Sequence, residues 1–550
     1  MTMRLPRVHT SGLALAGCLW LGGCASPFGH GDTGWRSRAE DLSRIAADDL
    51  AAYAISPAES VEAGVERLGR RLEAEDLAAG TAADGQAGPL PESMPVSLAD
   101  VRAAALRHNL DLRVERFNPR TAAERVREEA AAFEAVFSGS VRWARTDQPV
   151  ALATESTQNE SFLAELGLSA PLRSGGQVSL DFPLSENKTS NPFSLLNPAV
   201  TADLRFTISQ PLLRGAGERA TTYGLRVAQL QGDRANAIAR LEAIRVLAAA
   251  DRAYWTHYAA RRNLQVAVQQ LELARTQAER AARRVQAGDA AEVEILRAES
   301  GVAERVEAVI VAENQVRRAR RDLKRIMGRP DLPLDGPTRL DPATEPAPVG
   351  LELDRPRLVE LALQRRMEML ELELQLAVDR ETIDLRRNQR LPLLTLDYTY
   401  NINGLGRTYN DALDQLPPRT FDDWSVGLRA EVPIGNEAAD SRLQQALLAR
   451  VQRLATTEQR IVAIRQEVLD AADQLRQAWL RILAARREVL AAARTLEAEQ
   501  RQFDVGARTS TDVLDAQSRL ALARYREIQA VTDHEIAQID LAFATGSLLG

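Results

Sequence analysis

Two aspartates, Asp512 and Asp515, stand three residues apart just after Arg508 and Thr509, near the end of a 550-residue chain. On a helix that spacing puts both carboxylates on one face, where they could line a passage that favours cations. Thr509 followed by Asp512 is also a capping box, in which the carboxylate serves the helix start instead of a pore. Asp515 lies beyond the first turn and is not needed for capping. Elsewhere, Gly215-Ala216-Gly217-Glu218-Arg219-Ala220 matches a dinucleotide fingerprint. The helix that follows is too long for a nucleotide-binding unit, so these glycines serve as a turn between a strand and a helix. The histidines His9, His30, His108, His257 and His534 have no metal spacing. Without a nucleophile elbow or a phosphate loop, no catalytic residue, cofactor or metal is expected.

The remaining reactive groups lie at the N-terminus. Arg4 and Arg7, an apolar run from Ser11 to Gly23, and Leu21-Gly22-Gly23-Cys24 form an export signal that ends in a cysteine open to lipid attachment. Leu15-Ala16-Gly17-Cys18 also fits, but acylation at Cys24 gives the apolar run its normal length. Both cysteines fall in this segment, so the mature chain has no disulfide. The net charge of −7 and 5% aromatic content exclude a nucleic-acid footprint. Past Cys24 no apolar run is long enough for a membrane helix, so any membrane crossing must be a β-barrel.

The elements that position these groups are written twice. Gly288, Leu296 and Ala298 recur as Gly506, Leu514 and Ala516, an offset of 218 residues that also carries Gly328 onto Gly546. Upstream, the segment at Ala105 corresponds to that at Ala362, and Gln210-Pro211 to Val432-Pro433; the first interval is 35 residues longer, room for another hairpin. Proline is absent between Pro211 and Pro330 and after Pro433, which permits long helices. Leu264, Val268, Leu271, Ala274 and Ala278, and in the second copy Ile461, Ile464, Val468, Leu475 and Trp479, follow a near-heptad rhythm that implies coiled-coil packing. Leu394, Leu396, Tyr398, Tyr400 and Ile402 interleave with polar residues, as do Trp424, Val426 and Leu428, in segments the length of membrane strands.

Phe503-Asp504-Val505-Gly506-Ala507-Arg508-Thr509-Ser510-Thr511-Asp512-Val513-Leu514-Asp515-Ala516-Gln517 and Gln210-Pro211-Leu212-Leu213-Arg214-Gly215-Ala216-Gly217 resemble segments of the TolC-like outer-membrane efflux proteins. The resemblance covers about residues 97 to 550. It implies a homotrimer in outer-membrane lipid, a periplasmic helical tunnel, and docking to a periplasmic adaptor and an inner-membrane pump. It further implies that Asp512, Asp515, Arg508 and Phe503 form a constriction near the hairpin tips Gly288 and Gly506. Phe503 has no hydroxyl, so one latch hydrogen bond of that family is not available here.

The expected fold is mainly α with a membrane β-barrel portion: a trimeric barrel of 12 or more strands continuous with a long coiled-coil barrel, two internal repeats per chain. The expected boundaries are 1–23 signal peptide, 24–96 lipid-anchored and partly helical, 97–328 repeat one (strands 136–211, long helix 218–286), 329–353 equatorial linker, and 354–550 repeat two (strands 392–433, long helix 437–504). By length, 291–327 with 354–388, and 509–549 with 98–133, would each stack to match a long helix. The expected function is an outer-membrane exit duct of a tripartite efflux or type I secretion system. A periplasmic coiled-coil scaffold or adaptor without a channel is the alternative. The transported substrate is not encoded in any motif.

Overall fold

The computed structural model describes residues 93–150, 155–191 and 193–548; Cys18, Cys24 and the rest of the leader lie outside them. The chain opens with β1 (Ser93–Val96), α1 (Leu98–His108), α2 (Leu110–Glu115) and α3 (Phe117–Ala131). Four strands follow: β2 (Val136–Asp147), β3 (Gln158–Pro171), β4 (Gln177–Thr189) and β5 (Ala199–Pro211). Repeat one closes with the one-turn α4 (Glu218–Thr221), the long α5 (Tyr223–Gln286) and α6 (Val293–Met327). Then come β6 (Arg339–Pro342), α7 (Arg355–Arg365), α8 (Met367–Gln389), β7 (Leu393–Gly406), α9 (Tyr409–Leu413), β8 (Asp422–Glu431), α10 (Glu437–Asp504) and α11 (Ser510–Ala544).

Helices α5 and α10, of 64 and 68 residues, are the two full-height columns. Each is about 100 Å long at 1.5 Å per residue. The stacking of the half-height helices differs from the length arithmetic. Helix α6 ends at Gly328 against His108 and Asn109, and the Asn109 side-chain amide donates to the Ile326 carbonyl at 3.0 Å. It therefore stacks on α1 to α3. Helix α11 ends at Gly546 against Arg365 and Arg366, and so stacks on α7 and α8. Each half-helix continues one from its own repeat, the reverse of the expected pairing. All the half-columns are of similar length, so length could not discriminate. What decides is how left-handed glycines turn the chain aside at φ +61° and +69°, leaving the last carbonyls for the neighbour's capping groups.

At the level of these breaks, β1 pairs in parallel with β6. Residues 93–96, the described part of the expected 24–96 segment, are strand, and the linker 329–353 contains the partner strand. Val101, Ala105, Tyr254, Trp255, Leu323, Met327 and Leu340 form the core there. Two polar devices are buried within it. The Asp251 carboxylate is fully buried and receives two hydrogen bonds of 2.7 Å from the half-exposed Arg102. His257 bonds through Nε2 to the Leu340 carbonyl at 2.9 Å. Burial, with Arg261 and Arg320 nearby, pushes its pKa down to about 4 from 6.5, although the Leu340 bond opposes this.

Six strands form one antiparallel sheet in the order β2-β3-β4-β5-β7-β8. The extra length of repeat one is one hairpin, β3 with β4. The sheet joins the helices through Gly215 and Gly217, both at positive φ, with Gly215 N–H donating to the Asn388 side chain at 2.7 Å.

Removing Arg102 while Asp251 stays buried leaves an uncompensated carboxylate. Arg102→Ala is expected to cost about 3 kcal/mol and to lower the apparent melting temperature, while Asp251→Asn in the same background recovers part of the loss. For His257, the unfolded imidazole takes a proton below pH 6.5 that the folded one refuses until about pH 4. Stability should fall by about 3 kcal/mol through that window and level off below it; His257→Gln should flatten the slope in a pH series of melting curves.

Candidate functional site

The far end of the helices is built by two matching turns. At the end of α5, Gly288 adopts φ +81° and Asp289 N–H reaches back to the Arg284 carbonyl at 2.9 Å. At the end of α10, Gly506 adopts φ +79° and Ala507 N–H reaches the Gln502 carbonyl at 2.9 Å. Both are helix ends that need a left-handed residue, which glycine supplies without a Cβ penalty.

The starts of the return helices differ. Thr509 caps α11: its hydroxyl donates to the Asp512 carboxylate at 2.8 Å and accepts from Asp512 N–H, and Thr509 N–H donates back at 2.9 Å. The backbone bond from Thr509 and then its hydroxyl hold the Asp512 carboxyl below the ordinary range. Asp512 is thus a capping residue, whatever its further role, while Asp515 stands exposed one turn on. No side-chain cap forms at the start of α6. Glu292 precedes α6 in helical conformation without a side-chain cap, because that helix starts only at Val293.

Phe503 is buried at 4% exposure and does not face a passage within the chain. The Arg284 guanidinium from the other tip lies 4.7 Å from its ring centre and donates to its carbonyl at 3.3 Å. Glu294 of the first copy accepts from Ser510 N–H at 3.2 Å, placing a carboxylate at the positive start of α11. Arg508 donates to Gln502 at 3.0 Å and pairs with Glu499 at 3.2 Å. A cleft of about 210 Å³ remains between Arg284, Glu294, Phe503, Arg508 and Ser510. Of the four residues placed at the tip by sequence, Phe503 and Arg508 line this cleft. Arg284 escaped the sequence reading because cation–ring contacts carry no spacing signal when the partners are 219 residues apart.

At the opposite end, the sheet register sorts side chains by character. Phe137, Leu168, Leu180 and Phe206 lie in one row across β2 to β5, continued on β7 by Tyr400 and on β8 by Trp424. Trp143 with Phe162, and Val426 with Tyr398, share that face. Trp143 is 77% exposed and Trp424 68%. The opposite face carries Ser140, Glu165, Asp181, Arg205, Asn401 and Asp423 in corresponding rows. Near the loops the apolar face ends at Arg145, Glu160, Glu186 and Asp422. An apolar band about 25 Å tall with aromatic residues at its margin is the pattern of a lipid-facing sheet. No helix among the described residues is long and apolar enough to cross a membrane, and none of the described residues form a metal-holding cluster.

Residues 358–547 match the family profile "Outer membrane efflux protein". Outer membrane protein TolC of Vibrio cholerae is 29% identical over 194 residues, 35% of this chain and 43% of that relative; the match spans less than half of it. Among solved structures, the fold is similar to the outer-membrane channel OprN (19% identity, TM-score 0.61, covering 82% of this chain and 90% of that one). It is also similar to the CmeC outer membrane channel of Campylobacter jejuni (15% identity, TM-score 0.61, 82% and 85%). VceC of Vibrio cholerae follows at 14% identity and TM-score 0.60, covering 82% and 96%.

Arg284→Ala should loosen the tip by about 1 kcal/mol, seen as faster amide exchange in 284–290 and 502–512. Asp512→Ala should speed exchange at Ser510 to Val513, and Asp515→Ala should leave it unchanged.

Proposed function

We propose that this chain, which carries an outer membrane efflux protein domain in its second half, is one third of a passive exit duct across a bacterial outer membrane. The observation that carries this reading is the two-faced sheet, with an apolar band on one side below the loop end and polar rows on the other, continuous with columns about 100 Å long. Such a sheet suits lipid outside and water inside.

Six strands do not close a water-filled barrel, so copies must join edge to edge. On α10, Leu448, Val462, Leu469, Leu483 and Leu490 recur at multiples of seven and are exposed, an unfilled coiled-coil seam. Leu110, Val114, Phe117 and Leu296 are exposed on the column at the other edge of the wall. A homotrimer covers both. In this reading Cys24 carries the acyl anchor, the helices cross the periplasm, and the tip meets a periplasmic adaptor and an inner-membrane pump that select the substrate. Around the threefold axis, Asp515 with Asp512 supplies six carboxylates; Asp512 is tied to its cap, so Asp515 is the freer charge. A scaffold without a channel would have no use for the apolar sheet face.

Reconstituted in planar bilayers, the mature protein should give cation-selective channels and run as a heat-modifiable oligomer. Asp515→Asn should lower cation selectivity several-fold and Asp512→Asn less. A soluble, non-conducting protein would rule out the duct.

A further inference from the structure

We propose that the β3–β4 hairpin is an inserted wall segment that widens the membrane barrel to the bore of the helical tunnel, so that the duct releases polypeptide-sized cargo. This rests on the duct reading above. The internal duplication identifies the insertion. Repeat two sends one strand out, β7, and one back, β8, before its long helix; repeat one sends out β2 and returns by β5, with β3 and β4 between them. The other difference is the short α9 between β7 and β8, which lies in the loop and adds no strand.

The hairpin is built as wall. β3 is paired along nearly its whole length on both sides, twelve residue pairs with β2 and thirteen with β4. Its apolar residues Leu168 and Leu180 fall in the row already occupied by Phe137 and Phe206, Leu166 and Phe182 fall in the next row on the same face, and its polar residues Ser161, Glu165 and Asp181 lie on the opposite face. Its turn is tied to the joint between sheet and tunnel. Gly217 N–H donates to the Ser174 carbonyl at 2.9 Å, the Ser174 hydroxyl donates to Gln210 at 2.9 Å, and Gly175 lies so close to Gly215 that a Cβ there would collide with its carbonyl.

The widths then match. Six strands about 4.8 Å apart and tilted by about 40° occupy about 38 Å of circumference. The four helical columns, at about 9–10 Å each, occupy about 38 Å. Without the hairpin the sheet would fill only about 25 Å, and the barrel would be the narrower part. This equality holds for any number of copies. With three, the backbone circle is about 36 Å across, leaving about 25 Å between side chains, room for two helices side by side. The size limit then passes from the barrel to the tip.

The test compares the full chain with a variant lacking residues 156–190, which joins β2 to β5 on the side where both already end. Neutral polymers are added from the loop side of planar bilayers. The expected result is that the radius of the largest polymer admitted falls by about half in the variant, because the backbone circle shrinks by about a third while the side chains lining it take up the same depth. Equal cut-offs would overturn the proposal while leaving the duct intact; a full chain that conducts nothing would overturn the duct itself. Labelling of the otherwise intact, membrane-inserted chain covers a variant that fails to assemble. Ser161→Cys should react with a bulky water-soluble maleimide, and Leu166→Cys only with a lipophilic one. Equal reaction of both with the soluble reagent would place the hairpin outside the wall and overturn the proposal.

Discussion

Every backbone amide and carbonyl placed in hydrocarbon needs a partner, and that requirement governs this chain more than any side chain does. Strands β3, β4, β5 and β7 are paired on both sides, whereas β2 and β8 are paired on one side only. Neighbouring strands run antiparallel throughout, and the number of strands is even, so β8 of one copy can meet β2 of another in the same antiparallel sense. Closing the sheet in this way aligns the helical columns too. The exposed seam of α10 and the exposed apolar residues of α2 and α6 sit at the two lateral edges of the same wall.

The helices satisfy a different constraint. A wall of roughly constant height needs columns of equal length, yet only α5 and α10 span it without a break. The other columns are assembled from pieces, and each joint must satisfy carbonyls that a helix end leaves open. Asn109, buried at 5% exposure, does so for α6 while its own oxygen caps α2. Arg366 sits at the equivalent joint above α11, buried and paired with Glu368 and Glu467. The joints are polar, whereas the core beside them is apolar apart from the buried Asp251 and His257.

Much of this was legible in the sequence because it is local or periodic. The offset of 218 residues places Gly288 over Gly506 and Gly328 over Gly546, and all four have positive φ. Alternation identified the strands because one face of each is apolar. The long helix expected at 437–504 is observed with those limits, and that expected from 218 breaks at Thr222 into α4 and α5. What sequence could not supply depends on contacts between distant residues: which half-helices share a column, the pairing of β1 with β6, and Arg284 over Phe503. The two readings of Asp512 could be separated only by geometry, since a capping carboxylate and a pore carboxylate have the same spacing.

Amide exchange of the protein reconstituted in lipid tests edge closure most directly, because an open edge exchanges its outward amides whatever the side chains do. With the edges joined between copies, peptides from β2 and β8 are protected as strongly as those from β4 and β5. Rapid exchange confined to alternate amides of β2 and β8, with β4 and β5 protected, would show that the edges stay open and would contradict a barrel closed between copies.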